Sequence, residues 1–242
     1  MSEARPAFYA LAPGSWRDYV TLVHPPYTLW HLSYVVIGAT LAPHFRGDLL
    51  GWTLLAFFLA MGVGAHALDE LRGRPLQTLI PDRTLVALAC ISIAAAAAIG
   101  IVVAVQRDLW LLVFVAAGAG LVVAYNLELF GGRLHGDPWF SLGWGAFPVL
   151  TAYFASAHTL RGPALLAAVF AGLLSRAQRV LSTPVRDIRR RTRMVSGRIE
   201  RTDGSVVPLD AQSVAGAPER ALQTLSAAVV ALALALVFLR VT

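Results

Sequence analysis

The sequence predicts an all-α fold: a polytopic membrane helical bundle of about seven transmembrane helices, with a small cytoplasmic β-hairpin insertion before the last helix. Three observations carry this. Of 242 residues, 57% are hydrophobic and only 14% are charged, against about 25% charged in a soluble domain. The mean hydropathy is +0.65. The apolar residues fall in runs of membrane-spanning length, which is roughly 17–25 residues, and no polar stretch is long enough to make a separate soluble domain.

In chain order, residues 1–26 read as a cytoplasmic N-terminal segment. Met1 to Val23 carries Glu3, Arg5, Arg17 and Asp18 and has no apolar core of signal-peptide length, so no cleavage is expected. Residues 27–188 read as a bundle of six helices, near 27–43, 49–68, 84–105, 109–125, 140–157 and 163–181. His31 interrupts the first. The third has an alanine-rich centre, Ala94 to Ala98, which predicts close helix–helix contact, because small side chains let backbones approach in lipid. Pro25, Pro26, Pro43, Pro81, Pro138 and Pro163 stand near helix ends, where proline is tolerated, while Pro148 predicts a kink inside the fifth helix.

Residues 189–219 read as a basic cytoplasmic loop, opening with Arg189, Arg190, Arg191 and Arg193. The segment 194–209 is expected to form a hairpin turning at Asp203-Gly204, because a type I′ turn needs two residues of positive φ and Asp-Gly supplies them at least cost. Residues 220–242 form the final transmembrane helix.

All 20 basic residues are arginine, and the net charge is +6. With seven spans, 16 arginines fall on one side and 4 on the other, which predicts a multi-pass integral membrane protein with a cytoplasmic N-terminus and a C-terminus outside. The apolar content sets the arginines against an anionic membrane face and excludes nucleic acid as the partner. The single cysteine, Cys90, excludes an intrachain disulfide and a cysteine zinc site.

Chemistry-bearing residues gather in the inward loops. If the second helix continues through His66-Ala67-Leu68-Asp69-Glu70, then His66 lies one turn from both carboxylates. Arg72 and Arg74 follow. Tyr125, Asn126 and Glu128 end the fourth helix, and His135 and Asp137 precede the fifth. Arg176, Gln178 and Arg179 close the sixth, followed by Arg186, Asp187 and Arg189. Ionisable groups at a membrane boundary are costly without a partner or an ion. Asp69, Glu70 and Asp187 are therefore expected to converge at one cytoplasmic cavity with Arg72, Arg74 and Arg186 nearby. The alternative is local pairing, Asp69 with Arg72 or Arg74 and Asp187 with Arg190 or Arg191.

These residues resemble the UbiA superfamily of intramembrane prenyltransferases over about residues 25–190. His24-Pro25-Pro26-Tyr27-Thr28-Leu29 is similar to its opening segment. Ala65-His66-Ala67-Leu68-Asp69 falls where the family has Asn-Asp-x-x-Asp, and Arg74-Pro75-Leu76 resembles the Arg-Pro-Leu that follows. Tyr125-Asn126 matches the tyrosine loop, Trp144-Gly145-Ala146-Phe147-Pro148 looks like the fifth helix, and Asp187-Ile188-Arg189 is similar to part of the second motif. His66 and Gly73 stand where the family has further carboxylates.

The resemblance implies an Mg²⁺-dependent prenyltransferase that moves an isoprenyl group from a diphosphate donor to an acceptor. Asp69, Glu70 and Asp187 would be catalytic. His66 would join them as a metal ligand. Arg72, Arg74, Tyr125, Asn126, Arg176, Arg179 and Arg186 would bind substrate. Two other readings stay open: a catalytically inactive relative that binds a lipid or a partner membrane protein, and a different metal-dependent membrane enzyme using His66, Asp69, Glu70 and His135. The latter donor set suits zinc or iron better than magnesium.

Overall fold

The computed structural model describes residues 5–242. Eight helices follow an irregular N-terminal strap, residues 5–15. They are α1 (Trp16–Leu22), α2 (Pro25–Leu41), α3 (Gly47–Leu71), α4 (Asp82–Arg107), α5 (Leu111–Asn126), α6 (residues 137–157), α7 (Gly162–Arg191) and α8 (Ala211–Val241). Strands β1 (Gly197–Glu200) and β2 (Val206–Leu209) lie between the last two helices. Each predicted apolar run falls in one of α2–α8. Four of these, α3, α4, α7 and α8, are long and apolar enough to cross a membrane, and α5 is a shorter apolar helix. The chain is an integral membrane protein: Val86, Ile91, Val102 and Val105 on α4 and Leu165, Leu166, Val169 and Leu173 on α7 are all exposed, as a face toward lipid requires.

The helix ends follow local chemistry. Pro25-Pro26 open α2 and Pro163 opens α7, at positions where the missing N–H costs nothing. Arg107 ends α4 and Arg189, Arg190 and Arg191 end α7, opposite the negative end of each helix dipole. Asp210 and Ser213 cap α8 reciprocally: the Ser213 N–H donates to Asp210 Oδ1 at 2.7 Å, and the Asp210 N–H donates to Ser213 Oγ at 2.8 Å.

Two helices are interrupted by π-helical stretches, Phe58–Ala65 in α3 and Ser141–Ala146 in α6. The second directly precedes Pro148, so a widened turn stands where the sequence predicts a kink, and it accommodates the missing N–H.

The hairpin forms as an antiparallel pair with Gly197 opposite Leu209 and Glu200 opposite Val206. Its turn differs from the predicted type I′. The Gly204 N–H donates to the Arg201 carbonyl and the Arg201 N–H to the Ser205 carbonyl, each at 2.9 Å. Of the two central residues expected to be left-handed, only Gly204 has positive φ. The loop is thus three residues long with glycine in the left-handed position. The Ser205 N–H donates to Asp203 Oδ1 at 2.9 Å, and the Ser205 side chain, with that backbone bond second, holds the Asp203 carboxyl below its usual range.

The core joins α2, α6, α7 and α8 through Trp30, Tyr34, Val149, Ala171 and Val229. Here glycine lets backbones touch: a Cβ added at Gly38 would overlap the Val149 carbonyl, and one at Gly145 would lie 2.5 Å from the Ala171 carbonyl oxygen. Backbone atoms cannot step aside, so Gly38→Ala is expected to destabilise the bundle by about 1–3 kcal/mol. Thermal denaturation in detergent checks this against Gly51→Ala, whose Cβ meets nothing within 4 Å. The predicted contact at Ala94 to Ala98 is not where helices approach: Ala94 and Ala98 are exposed, and Ala96 and Ala97 line a groove. The space their small side chains leave is open rather than filled by a neighbour.

At the opposite end from the hairpin, Arg240 ties α8 to the end of α2, donating to the carbonyls of Thr40 at 2.7 Å and Ala42 at 3.0 Å.

Candidate functional site

A polar cavity of about 150 Å³ lies at the end of the bundle where α3, α5 and α7 terminate and α2 and α6 begin. The strap closes it, contributing Pro6 to Tyr9. Below it, between α3, α4, α5 and α6, runs an apolar groove of about 110 Å³. A small void of about 10 Å³ lies between the two. Trp144 lines all three spaces. His31 and His66 line the cavity and the void, and Phe57 and Met61 line the void and the groove. The three spaces lie against one another in order from polar to apolar, with Trp144 in the wall of each.

One wall of the cavity is basic. Arg179, Arg186 and Arg190 all line it, at spacings of seven and four residues on α7, which bring them to one helical stripe. Arg179 is held from three sides: Nε donates to Asp137 Oδ1 at 3.0 Å, Nη1 donates to the Tyr125 hydroxyl at 2.7 Å, and the guanidinium stands 5.3 Å from the centre of the Phe140 ring. Arg190 Nε donates to the Pro6 carbonyl at 3.1 Å, fastening the strap. Arg186 makes one long side-chain hydrogen bond, to Thr183 Oγ1 at 3.3 Å. It is the least committed cation of the three.

The facing wall carries imidazoles. His66 Nδ1 lies 3.0 Å from the Gly62 carbonyl, His31 Nδ1 2.8 Å from that of Trp144, and His135 Nδ1 2.9 Å from that of Tyr125. A carbonyl only accepts, so each Nδ1 carries a proton, and the tautomer this selects leaves Nε2 as the acceptor. His24 stacks on His66 with ring centres 4.0 Å apart and planes 6° from parallel. Its Nδ1 meets the Tyr9 hydroxyl at 2.9 Å, and its Nε2 is buried without a partner. Burial, reinforced by His66 and Arg190, holds the His24 imidazole well below its usual range, and burial pushes the Tyr9 phenol up. Both are neutral at neutral pH. Gln178, on α7, is also buried in the cavity wall with an unpartnered Oε1.

The sequence-predicted site residues divide into two groups. His66, Asp69, Tyr125, Asn126, Arg179 and Arg186 line the cavity. Glu70, Asp187, Arg72, Arg74 and Arg176 do not, so the expected convergence of Asp69, Glu70 and Asp187 is not what the structure places there. Glu70 points into the 72–81 loop, where its carboxylate accepts from the N–H groups of Leu76 at 3.0 Å and Thr78 at 2.9 Å and from Thr78 Oγ1 at 2.9 Å. Asp187 faces Arg191 at 3.6 Å on an exposed side of α7, the local pairing foreseen as the alternative. Arg72 donates to the Leu127 carbonyl and to Glu128, both at 3.0 Å. Arg74 donates to the Ile80 carbonyl at 2.6 Å and pairs with Asp82. Arg176 is exposed.

Sequence reasoning missed Tyr9, His31 and Arg190 as cavity residues, and the strap as its cover. The available signal was the pair His24, directly before α2, and His31, within it.

Magnesium takes six oxygens in a near-ideal octahedron. Asp69 is the carboxylate in the cavity lining, set among imidazoles and guanidinium groups, while the oxygens of Glu70 are occupied and Asp187 lies elsewhere. Among the described residues, no group of three or more His, Cys, Asp or Glu side chains is gathered as metal ligands. The donor set at the cavity does not fit Mg²⁺. What it fits is an anion: three guanidinium groups on one wall and neutral hydrogen-bonding groups on the others.

Comparison with protein-family models, with curated proteins and with solved structures returns no match to this chain.

Proposed function

We propose that the protein is an intramembrane prenyltransferase, similar in kind to the UbiA superfamily, that takes an isoprenyl diphosphate with its head in the basic cavity and its tail in the apolar groove. In this reading all of α2–α8 cross the bilayer and the cavity opens toward the cytoplasm, the side that the arginine distribution assigns to the N-terminus. The observation that supports it best is that the basic cavity and the apolar groove adjoin at Trp144: an amphiphile with an anionic head and a long apolar tail matches the two together.

In the transfer, the bond between C1 of the allylic chain and the diphosphate oxygen breaks, and the electron pair leaves with the diphosphate. Arg179, Arg186 and Arg190 meet the charge that develops on the leaving group. The acceptor's nucleophilic atom bonds to C1 and its proton passes to the bare Nε2 of His66. No step runs through a metal ion.

Binding of geranylgeranyl diphosphate to protein in lipid nanodiscs tests this. Binding is expected to persist in EDTA, with diphosphate released when a total membrane extract supplies the acceptor. Arg186→Ala is expected to weaken binding by about tenfold or more, since a charge-assisted contact to phosphate is lost. Absence of binding, or an Arg186→Ala variant that binds as the parent does, overturns the reading. A second reading, a lipid-binding protein without catalysis, is favoured by the poor match of the cavity to Mg²⁺. Binding with no diphosphate release selects it.

A further inference from the structure

We infer that the apolar groove measures the donor's tail and is built for a chain of about four isoprene units. This rests on the proposed isoprenyl diphosphate reading and adds the substrate's length to it.

The groove has a beginning and an end. It begins at Trp144 and Met61, where it meets the void below the polar cavity. Its far end is stopped by a buried plug in which Ala104, Leu111 and Ala155 pack with Val103, Phe114 and Phe154. On α4 the lining extends from Ile93 to Val103, and on α5 from Val122 back to Leu111. Both are regular helices there, so at 1.5 Å per residue the groove is about 15–16 Å long.

An isoprene unit sets four bonds in line. An extended peptide residue, with three, spans at most about 3.3–3.6 Å, so a unit spans about 4.5 Å. Three units fill the groove, and a first unit beside Trp144 connects them to the head. Glycine lets the walls meet: a Cβ on Gly100 would lie 2.5 Å from Val115 Cγ2, and one on Gly118 would lie 3.0 Å from Phe147 Cε1, so α5 packs closely on α4 and on α6 along the groove. Closed walls and a packed cluster at the far end are what a length gauge requires.

Ala97 lines the groove midway along α4. Phenylalanine there would block the deeper half and leave the first units free. The test measures affinity in nanodiscs for geranyl, farnesyl, geranylgeranyl and solanesyl diphosphates, which carry two, three, four and nine units. Wild-type affinity is expected to rise to four units and gain nothing at nine. Ala97→Phe is expected to weaken geranylgeranyl diphosphate by about tenfold or more, since the deeper methylenes lose their burial, while geranyl diphosphate changes by less than about threefold.

Affinity that keeps rising to nine units, or that ignores length, overturns the inference and leaves the proposed function standing. So does equal weakening of all lengths by both Ala97→Phe and the milder Ala97→Leu. If the wild-type protein binds no prenyl diphosphate and lipid acyl chains occupy the groove, the functional reading itself fails.

Discussion

Glu70→Ala is expected to destabilise the protein by about 3–5 kcal/mol, because it leaves three buried donors unsatisfied at about 1–3 kcal/mol each. Glu70 is fully buried, and Leu76 and Thr78 around it are nearly so. The 72–81 loop turns back on itself through positive-φ backbone at Gly73, Arg74 and Gln77, so its N–H groups have no helix or strand to pair with. Two of them, and the Thr78 hydroxyl, depend on the Glu70 carboxylate. Alanine strands all three donors in a dry interior. Glu70→Gln keeps an accepting oxygen and is expected to lose less. Thermal denaturation, together with faster tryptic cleavage after Arg72, checks this. An alanine variant of unchanged stability that has lost ligand binding would return Glu70 to the site, where the sequence placed it.

Arg189→Ala is expected to cost a similar 3–5 kcal/mol, because it leaves a buried carboxylate uncompensated. Arg189 donates from Nε and Nη2 to the two oxygens of Glu219 at 2.8 and 2.7 Å, and from Nη1 to the Arg5 carbonyl at 3.3 Å. Glu219 is 8% exposed. The pair clamps the polar ends of α7 and α8 and anchors the strap to both. Replacing both partners by apolar residues, Arg189→Met with Glu219→Leu, is expected to recover most of the loss, since no unpaired charge then remains. The comparison of single and double variants by thermal denaturation separates the cost of a stranded charge from the worth of the pair. A single variant as stable as the parent would show that water already reaches Glu219.

The parts of the fold set by run length were legible. Each apolar stretch became a helix, because a run of spanning length with charged flanks has few other outcomes in lipid. The polar continuations were not. The sixth predicted helix stops at 181, short of Ser182-Thr183-Pro184, and the last begins at 220, after Pro218. The structure carries α7 to Arg191 and α8 back to Ala211, with both prolines inside helices. Proline reads as a boundary locally, but the clamp between Arg189 and Glu219, 30 residues apart, overrides it. The same division holds at the site. Tyr125, Asn126, Arg179 and Arg186 stand at predicted helix ends and face the cavity. For Glu70 and Asp187 the sequence shows a carboxylate near an arginine and gives no means of choosing a local partner over a shared cavity. The strap has no periodicity to read, and its fastening to Arg190 joins residues 184 apart.

The widened turn in α3 makes the site sensitive to chain length as well as to residue identity. Phe58–Ala65 ends where His66 and Asp69 begin to face the cavity. Each residue in a regular helix advances the face by about 100°, and each in a widened turn by somewhat less, so removing a single residue while the widened turn kept its geometry would swing both side chains about a quarter-turn off the cavity. The apolar run would be shorter by only one residue and still of spanning length. Related chains that keep this pocket are therefore expected to conserve the number of residues between Phe57 and His66 more strictly than their identities, and an insertion or deletion there would mark a protein with a different site.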